Sequence, residues 1–270
     1  MLWEEIVDES ERRGAMANQI FQEEVQKAVL ASLSRGEAFN HLVFQGGTAL
    51  RLFYGNPRFS EDLDFVLRKN KTFGLTESIS SIKAFVEDTF PFIEKADINI
   101  QRNDNEMQRF ILKISGKPFQ RIRVHIELAY VPSYHNRPKI LDYPPINPAV
   151  RVEEANEILA DKLTALGNRP YLKGRDIWDI YFLITEKNIS IPWHLVFQKA
   201  RDYGVMPSHL KKNILKASER LEREGLNILN NEMLRFLPKK FLDQYSEIFE
   251  EIVAIVAEKV KNVKGENIEN

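Results

Sequence analysis

Asp62 and Asp64 are separated by one residue in the run Asp-Leu-Asp-Phe-Val-Leu, where polar and apolar side chains alternate before the run turns apolar. Alternation of that period reads as a strand, and residues i and i+2 of a strand share a face. Two carboxylates so close repel each other, and burial would raise the pKa of each. A divalent cation removes the conflict. A hard ion such as magnesium suits carboxylate oxygens combined with substrate phosphates. Upstream lies Phe44-Gln45-Gly46-Gly47-Thr48, where a short apolar strand from His41 ends and a helix from Ala49 opens. Backbone N–H groups bared at a strand-to-helix junction bind anions, and Thr48 adds a hydroxyl. The glycines could therefore hold a triphosphate while its metal ions rest on the two aspartates.

The surrounding elements follow from periodicity. Residues 3 to 34 carry apolar stripes at helical spacing, first Trp3, Ile6 and Val7, then Ile20, Phe21, Val25, Val29 and Leu33, with Gly36 as the stop. Gly55-Asn56-Pro57 turns the chain into the aspartate strand. A helix is predicted over 75 to 90, then strands over 96 to 101, 109 to 115 and 121 to 129, the last two joined at Gly116-Lys117-Pro118. Between Val131 and Pro148 stand five prolines, Pro132, Pro138, Pro144, Pro145 and Pro148, which exclude a helix and mark a linker. Beyond it the pattern is helical: 153 to 167, 175 to 187, 193 to 203, 208 to 223 and 242 to 260. The expected organisation is a mixed α+β part over 1 to 148, followed by a helical part over 149 to 270, with a cleft between them.

An acid-x-acid pair alone carries little weight, because 39 acids among 270 residues produce roughly five such pairs by chance. Order carries the weight: strand, Gly-Gly-Thr, helix, turn, Arg-Phe-Ser-Glu-Asp-Leu-Asp, strand. The stretch Gly46-Gly47-Thr48-Ala49-Leu50 through Arg58-Phe59-Ser60-Glu61-Asp62-Leu63-Asp64-Phe65 resembles the AbiEii/AbiGii and MenT group of nucleotidyltransferase toxins. A second stretch is similar to the same group: Ile158-Leu159-Ala160-Asp161-Lys162-Leu163-Thr164-Ala165-Leu166, then Arg169, then Arg175-Asp176-Ile177-Trp178-Asp179-Ile180. It matches the group's Lys-x-x-Ala-Leu and Arg-Asp-x-x-Asp patterns.

The resemblance implies a polymerase-β-like small mixed sheet with flanking helices, followed by a helical C-terminal part. It implies that Asp62 and Asp64 bind metal, that Gly46, Gly47 and Thr48 form the phosphate loop, and that Lys162 and Asp176 are required near the nucleotide. Many polymerase-β-type enzymes carry Gly-Ser where this chain has Gly-Gly-Thr, and Thr48 keeps the hydroxyl. Such enzymes place a further carboxylate on a neighbouring strand. Glu127, in Arg-Val-His-Ile-Glu-Leu, is the candidate, a glutamate where an aspartate is commoner. His125 shares its face. Arg58 and Ser60 flank the metal strand as candidate phosphate contacts, and Asp179 shares a helix face with Asp176. Without the resemblance, Lys162 reads as a snorkelling lysine and Asp176 as a charge favouring a helix N-terminus.

The reaction so implied is two-metal transfer of a nucleoside monophosphate from a nucleoside triphosphate to an acceptor hydroxyl, with two magnesium ions and manganese as a substitute. The resemblance favours a tRNA 3′ end as acceptor, with a protein hydroxyl as the alternative. It also implies a cognate antitoxin as partner. A small-molecule adenylyltransferase of the antibiotic-modifying type and a non-catalytic nucleotide-binding module are the competing readings.

Composition bounds these readings. Hydrophobic residues make up 43% and charged residues 29%, enough for a core and a solvated surface. The net charge of −1 means that any polyanion must meet a local patch. The basic positions Arg102, Arg109, Lys113, Lys117, Arg121 and Arg123 read as a solvated sheet face before they read as a nucleic acid track. The absence of cysteine excludes disulfides, thiol nucleophiles and cysteine-bound zinc. The acidic N-terminus lacks the basic start and apolar run of a secretory signal, and no apolar stretch reaches the ~20 residues that span a bilayer. A cytoplasmic protein without membrane contact is expected.

Overall fold

The computed structural model describes residues 1–69, 71–119 and 121–265. They form two compact units, one of residues 1–55 with 59–153, the other of residues 56–58 with 154–265.

The first unit begins with α1 (Trp3–Arg13) and α2 (Ala17–Arg35). The single helical stretch read from the sequence is thus two helices, because Gly14 adopts a left-handed φ of 59° and caps α1. Strand β1 (Leu42–Gln45) leads into α3 (Gly46–Tyr54), and β2 (Asp62–Arg68) follows. Then come α4 (Ile79–Thr89), β3 (Lys95–Asn103), β4 (Met107–Ser115) and β5 (Ile122–Ser133). Each falls on a segment whose period announces it.

The proline-rich stretch departs from its reading as a linker. It holds the end of β5, then β6 (Asn136–Ile140), and leads into β7 (Ala149–Glu153). The seven strands lie in the order β3-β4-β5-β2-β1-β7-β6. β6 is therefore an edge strand, where a proline such as Pro138 costs no interior ladder bond. β7 pairs in parallel with β1. β2 and β5 also pair in parallel, while β1–β2, β3–β4, β4–β5 and β6–β7 are antiparallel, which makes a mixed sheet. β1 and β2 lie inside the sheet, and Leu42, Val43, Phe44, Leu63, Phe65 and Val66 are buried, so the strands bearing the candidate residues are fixed by packing.

The second unit contains α5 (Ala155–Asn168), α6 (Gly174–Tyr181), α7 (Trp193–Asp202), α8 (Pro207–Phe236), α9 (Lys239–Tyr245) and α10 (Phe249–Lys261). A π-helical turn, Phe182–Glu186, prolongs α6. α8 runs 30 residues, well past the end predicted at Arg223. At Gly225 a Cβ would lie 2.8 Å from Val253 Cγ1, so its absence lets α10 approach α8 closely. Lys199 is wholly buried, its Nζ 2.6 Å from Glu157 Oε1 and 3.2 Å from Asp161 Oδ2. Among the described residues no helix is long and apolar enough to cross a membrane.

Candidate active site

The pleat of β2 buries Leu63 and Phe65 and leaves Asp62 and Asp64 half-buried on the other face. Pairing with β5 sets Asp62 beside His125 and Asp64 beside Glu127. Parallel neighbours in register share a face, so the three carboxylates stand on one side of two adjacent strands. On β1, Gln45 lies opposite Asp64, and on β4, Arg109 lies opposite Glu127. A polar row therefore crosses four strands, from Gln45 through Asp64 and Glu127 to Arg109.

Side-chain contacts hold this row. His125 Nδ1 is 3.1 Å from Asp62 Oδ1. Arg109 Nε is 2.8 Å from Glu127 Oε1, and Arg109 Nη2 donates to Glu127 Oε2 at 3.2 Å. Thr48 is buried, and its hydroxyl donates to the backbone carbonyl of Asp62, tying the first turn of α3 to the start of β2. Gly46 has φ +80°, and a Cβ built on it would sit 2.5 Å from Asp64 Oδ2. Only glycine gives both the left-handed backbone and the room for that carboxylate. Ser60 is half-buried, and its carbonyl accepts from Gln26 Nε2 at 2.9 Å, anchoring the approach to β2 on α2.

Asp62, Asp64 and Glu127 thus present carboxylates, oxygen donors of the hard type magnesium favours, on adjacent strands beside a glycine that leaves space at Asp64.

The second unit gathers a different set. Arg58 is buried and forks onto Asp179, with Nε 2.6 Å from Oδ1 and Nη2 2.5 Å from Oδ2. Asn56 Nδ2 donates to Asp179 Oδ1 at 2.9 Å, while the Trp178 indole donates to Asn56 Oδ1 at 2.8 Å. Lys162 Nζ lies 2.8 Å from Asp179 Oδ2 and 3.1 Å from Asp176 Oδ1. Arg169 pairs with the other oxygen of Asp176. Charges thus alternate along Arg58, Asp179, Lys162, Asp176 and Arg169. Burial alone would raise the Asp179 pKa, but Arg58 and Lys162 outweigh it and hold the carboxyl at about 2. Burial would lower Lys162, and the attraction of Asp179 and then Asp176 raises it instead, so the ammonium stays charged. Arg58 is raised in the same way, chiefly by Asp179 against its own burial.

Of the residues singled out in sequence, Gly46, Thr48, Asp62, Asp64 and Glu127 come together in the first unit with His125. Lys162, Asp176 and Arg58 come together in the second. Two partners escaped the sequence reading. Asn56 looked only like a turn residue, and its bonds to Trp178 and Asp179 span more than 120 positions, for which no local signal exists. Arg109 belonged to a basic run; its register opposite Glu127 singles it out.

A mixed sheet with carboxylates on neighbouring strands, facing a glycine-opened helix, is the architecture of a polymerase-β-like nucleotidyltransferase. The family model described as nucleotidyl transferase AbiEii toxin, type IV toxin–antitoxin system, matches residues 28–260. The chain belongs to this family of toxin nucleotidyltransferases and is an enzyme of that class. Among solved structures it is similar to JHP933 from Helicobacter pylori, with TM-score 0.55, 19% identity, and 92% of this chain and 95% of that one covered. It also matches MenT4, a nucleotidyltransferase toxin from Mycobacterium tuberculosis H37Rv, with TM-score 0.48, 22% identity, and 75% of this chain and 65% of that one covered. No curated protein sequence matches the chain.

Proposed function

We propose that the enzyme transfers a nucleoside monophosphate from a nucleoside triphosphate to a hydroxyl of tRNA, at its 3′ end, in the cytoplasm, under the restraint of a cognate antitoxin. The observation that carries the chemistry is the register of Asp64 with Glu127, next to Asp62 and against the side-chain-free edge of Gly46. The choice of tRNA rests on the family resemblance, and a protein hydroxyl is the alternative acceptor.

Asp62, Asp64 and Glu127 would hold two divalent ions, magnesium or manganese. When bound, such ions polarise the α-phosphate and lower the pKa of the attacking hydroxyl. The amides of Gly46 and Gly47, at the N-terminus of α3, serve the outer phosphates as donors. Thr48 keeps that turn fixed on β2 through its bond to the Asp62 carbonyl. His125 and Arg109 orient Asp62 and Glu127 through the contacts given above. Ser60 sets the segment entering β2 through its carbonyl, while Arg58 is held by Asp179. Lys162, kept protonated by Asp179 and Asp176, is a point cation rather than a base. Asp176 holds Lys162 in place. The acceptor hydroxyl releases its proton to solvent as its oxygen bonds to the α-phosphorus, and the bond to the α–β bridging oxygen breaks with its electron pair leaving on pyrophosphate.

The test is incubation with each α-phosphate-labelled nucleoside triphosphate, total RNA and magnesium, followed by separation of RNA from protein. Label in the tRNA fraction supports the proposal. Label confined to protein, or to an added small-molecule hydroxyl, overturns the acceptor, and no label with any triphosphate overturns the activity.

A further inference from the structure

The second unit holds an open cavity of about 620 Å³, lined by α8 and by the segment that ends α5. Its charged lining is Arg169, Lys216, Arg220 and Arg223 against the single acid Glu219. Lys216, Arg220 and Arg223 stand at i, i+4 and i+7 of α8 and so form one stripe. At about 1.5 Å of rise per residue the stripe is about 10 Å long. Among the described residues no carboxylate forms an ion pair with any of these three. Arg220 Nη1 donates to the Pro170 carbonyl at 2.5 Å, and Arg223 Nε donates to the Glu219 carbonyl at 3.3 Å, so each guanidinium is steadied by backbone. The fourth cation, Arg169, pairs with Asp176, the carboxylate that also holds Lys162.

We propose that this cavity binds consecutive phosphates of a single nucleic acid strand. A row of cations about 10 Å long is longer than one phosphate needs and matches a polymer with charge along its length. The chain's net charge of −1 supplies no general attraction, so a local stripe of this kind must do so. No aromatic side chain lines the cavity, which gives a base nothing to stack on and leaves the backbone as what is recognised. A lone nucleoside triphosphate would gain only its phosphate contacts there. Close approach of α5 to α8 gives the cavity a rigid floor, since a Cβ on Gly167 would meet Leu210 Cδ1 at 2.5 Å. The inference deepens the proposed RNA acceptor and rests on that reading for its biological meaning, although the binding itself is measured without turnover.

The experiment uses the full chain and a fluorescent single-stranded RNA of mixed sequence, with anisotropy read at several salt concentrations and no triphosphate or divalent ion. The variant Lys216→Gln/Arg223→Gln removes two cations from the stripe. Lys239→Gln/Lys240→Gln removes the same charge from α9 as a control. The stripe variant should bind RNA about tenfold more weakly and show a log–log salt slope shallower by about 1.4, from two contacts at about 0.7 each on a single strand. The control should stay within about twofold of the parent. Equal weakening by the control, an unchanged stripe variant, or equal loss of affinity for inorganic tripolyphosphate would each overturn the assignment. Labelling of protein alone in the transfer assay, with RNA affinity still dependent on Lys216 and Arg223, would sink the acceptor reading and leave this site standing.

Discussion

Acidification should destabilise the protein through Asp179, and the size of the effect follows from its surroundings. The carboxyl drops from 3.8 to about 2 because Arg58 and Lys162 outweigh the effect of its burial. At about 1.4 kcal/mol per unit this contributes about 2 kcal/mol. The folded pKa lies below the unfolded one, so the unfolded chain takes up the proton first as pH falls. The contribution is whole above about pH 5 and is lost progressively between about pH 4 and pH 2. Urea unfolding at half-unit steps from pH 6 to pH 2 measures it. Tryptophan fluorescence is the natural probe, because the Trp178 indole is bonded to Asn56, which is bonded to Asp179. Asp179→Asn keeps the shape and removes the titration. It should be less stable than the parent at pH 6, with both cations left facing an amide, and should lose about 2 kcal/mol less between pH 5 and pH 2. An Asp179→Asn protein whose stability falls with acid as steeply as the parent's would refute the role given to Arg58 and Lys162.

Gly46→Ala should cut transfer by at least about a hundredfold, because the new Cβ must displace the Asp64 carboxylate, and a misplacement of about 1 Å near reacting groups costs that much. Steady-state rates compared with thermal midpoints will separate this from unfolding, and a fully active alanine variant would contradict it. Lys199→Met leaves Glu157 and Asp161 without their buried cation and should cost about 3 kcal/mol in denaturant titration, whereas a change below about 1 kcal/mol would mean that the pairing is dispensable. Thr48→Val keeps the volume but loses the bond to the Asp62 carbonyl. It should lower stability by about 1 kcal/mol and loosen the glycine turn, read as faster amide exchange at Gly47 and Ala49.

What the sequence revealed and what it hid divide along chain distance. The Gly-Gly-Thr junction and the Asp-x-Asp strand are local patterns, and β1, α3 and β2 stand on the segments read for them. Glu127 was singled out by the resemblance, which implies a carboxylate on a neighbouring strand, and the β2–β5 register sets it beside Asp64. β6 and β7 were hidden because prolines argue against strands unless the strand is known to lie at an edge, a property of the finished sheet. The far half of α8 was not read as helix, and the packing of α10 against it at Gly225 exists only after folding. Arg58 looked like a phosphate contact and Asn56 like part of a turn beside β2, yet their partner Asp179 lies 121 and 123 positions away. Single-sequence periodicity carries no information about such pairs.

The most direct measurement is the rate of nucleotide incorporation by the parent and by Asp62→Asn, Asp64→Asn and Glu127→Gln, each matched for thermal midpoint, with magnesium present. Incorporation should fall to background in both aspartate variants and by at least about a hundredfold in Glu127→Gln, while the folds persist. Transfer at the parent's rate by either aspartate variant would contradict the placement of the chemistry on β2.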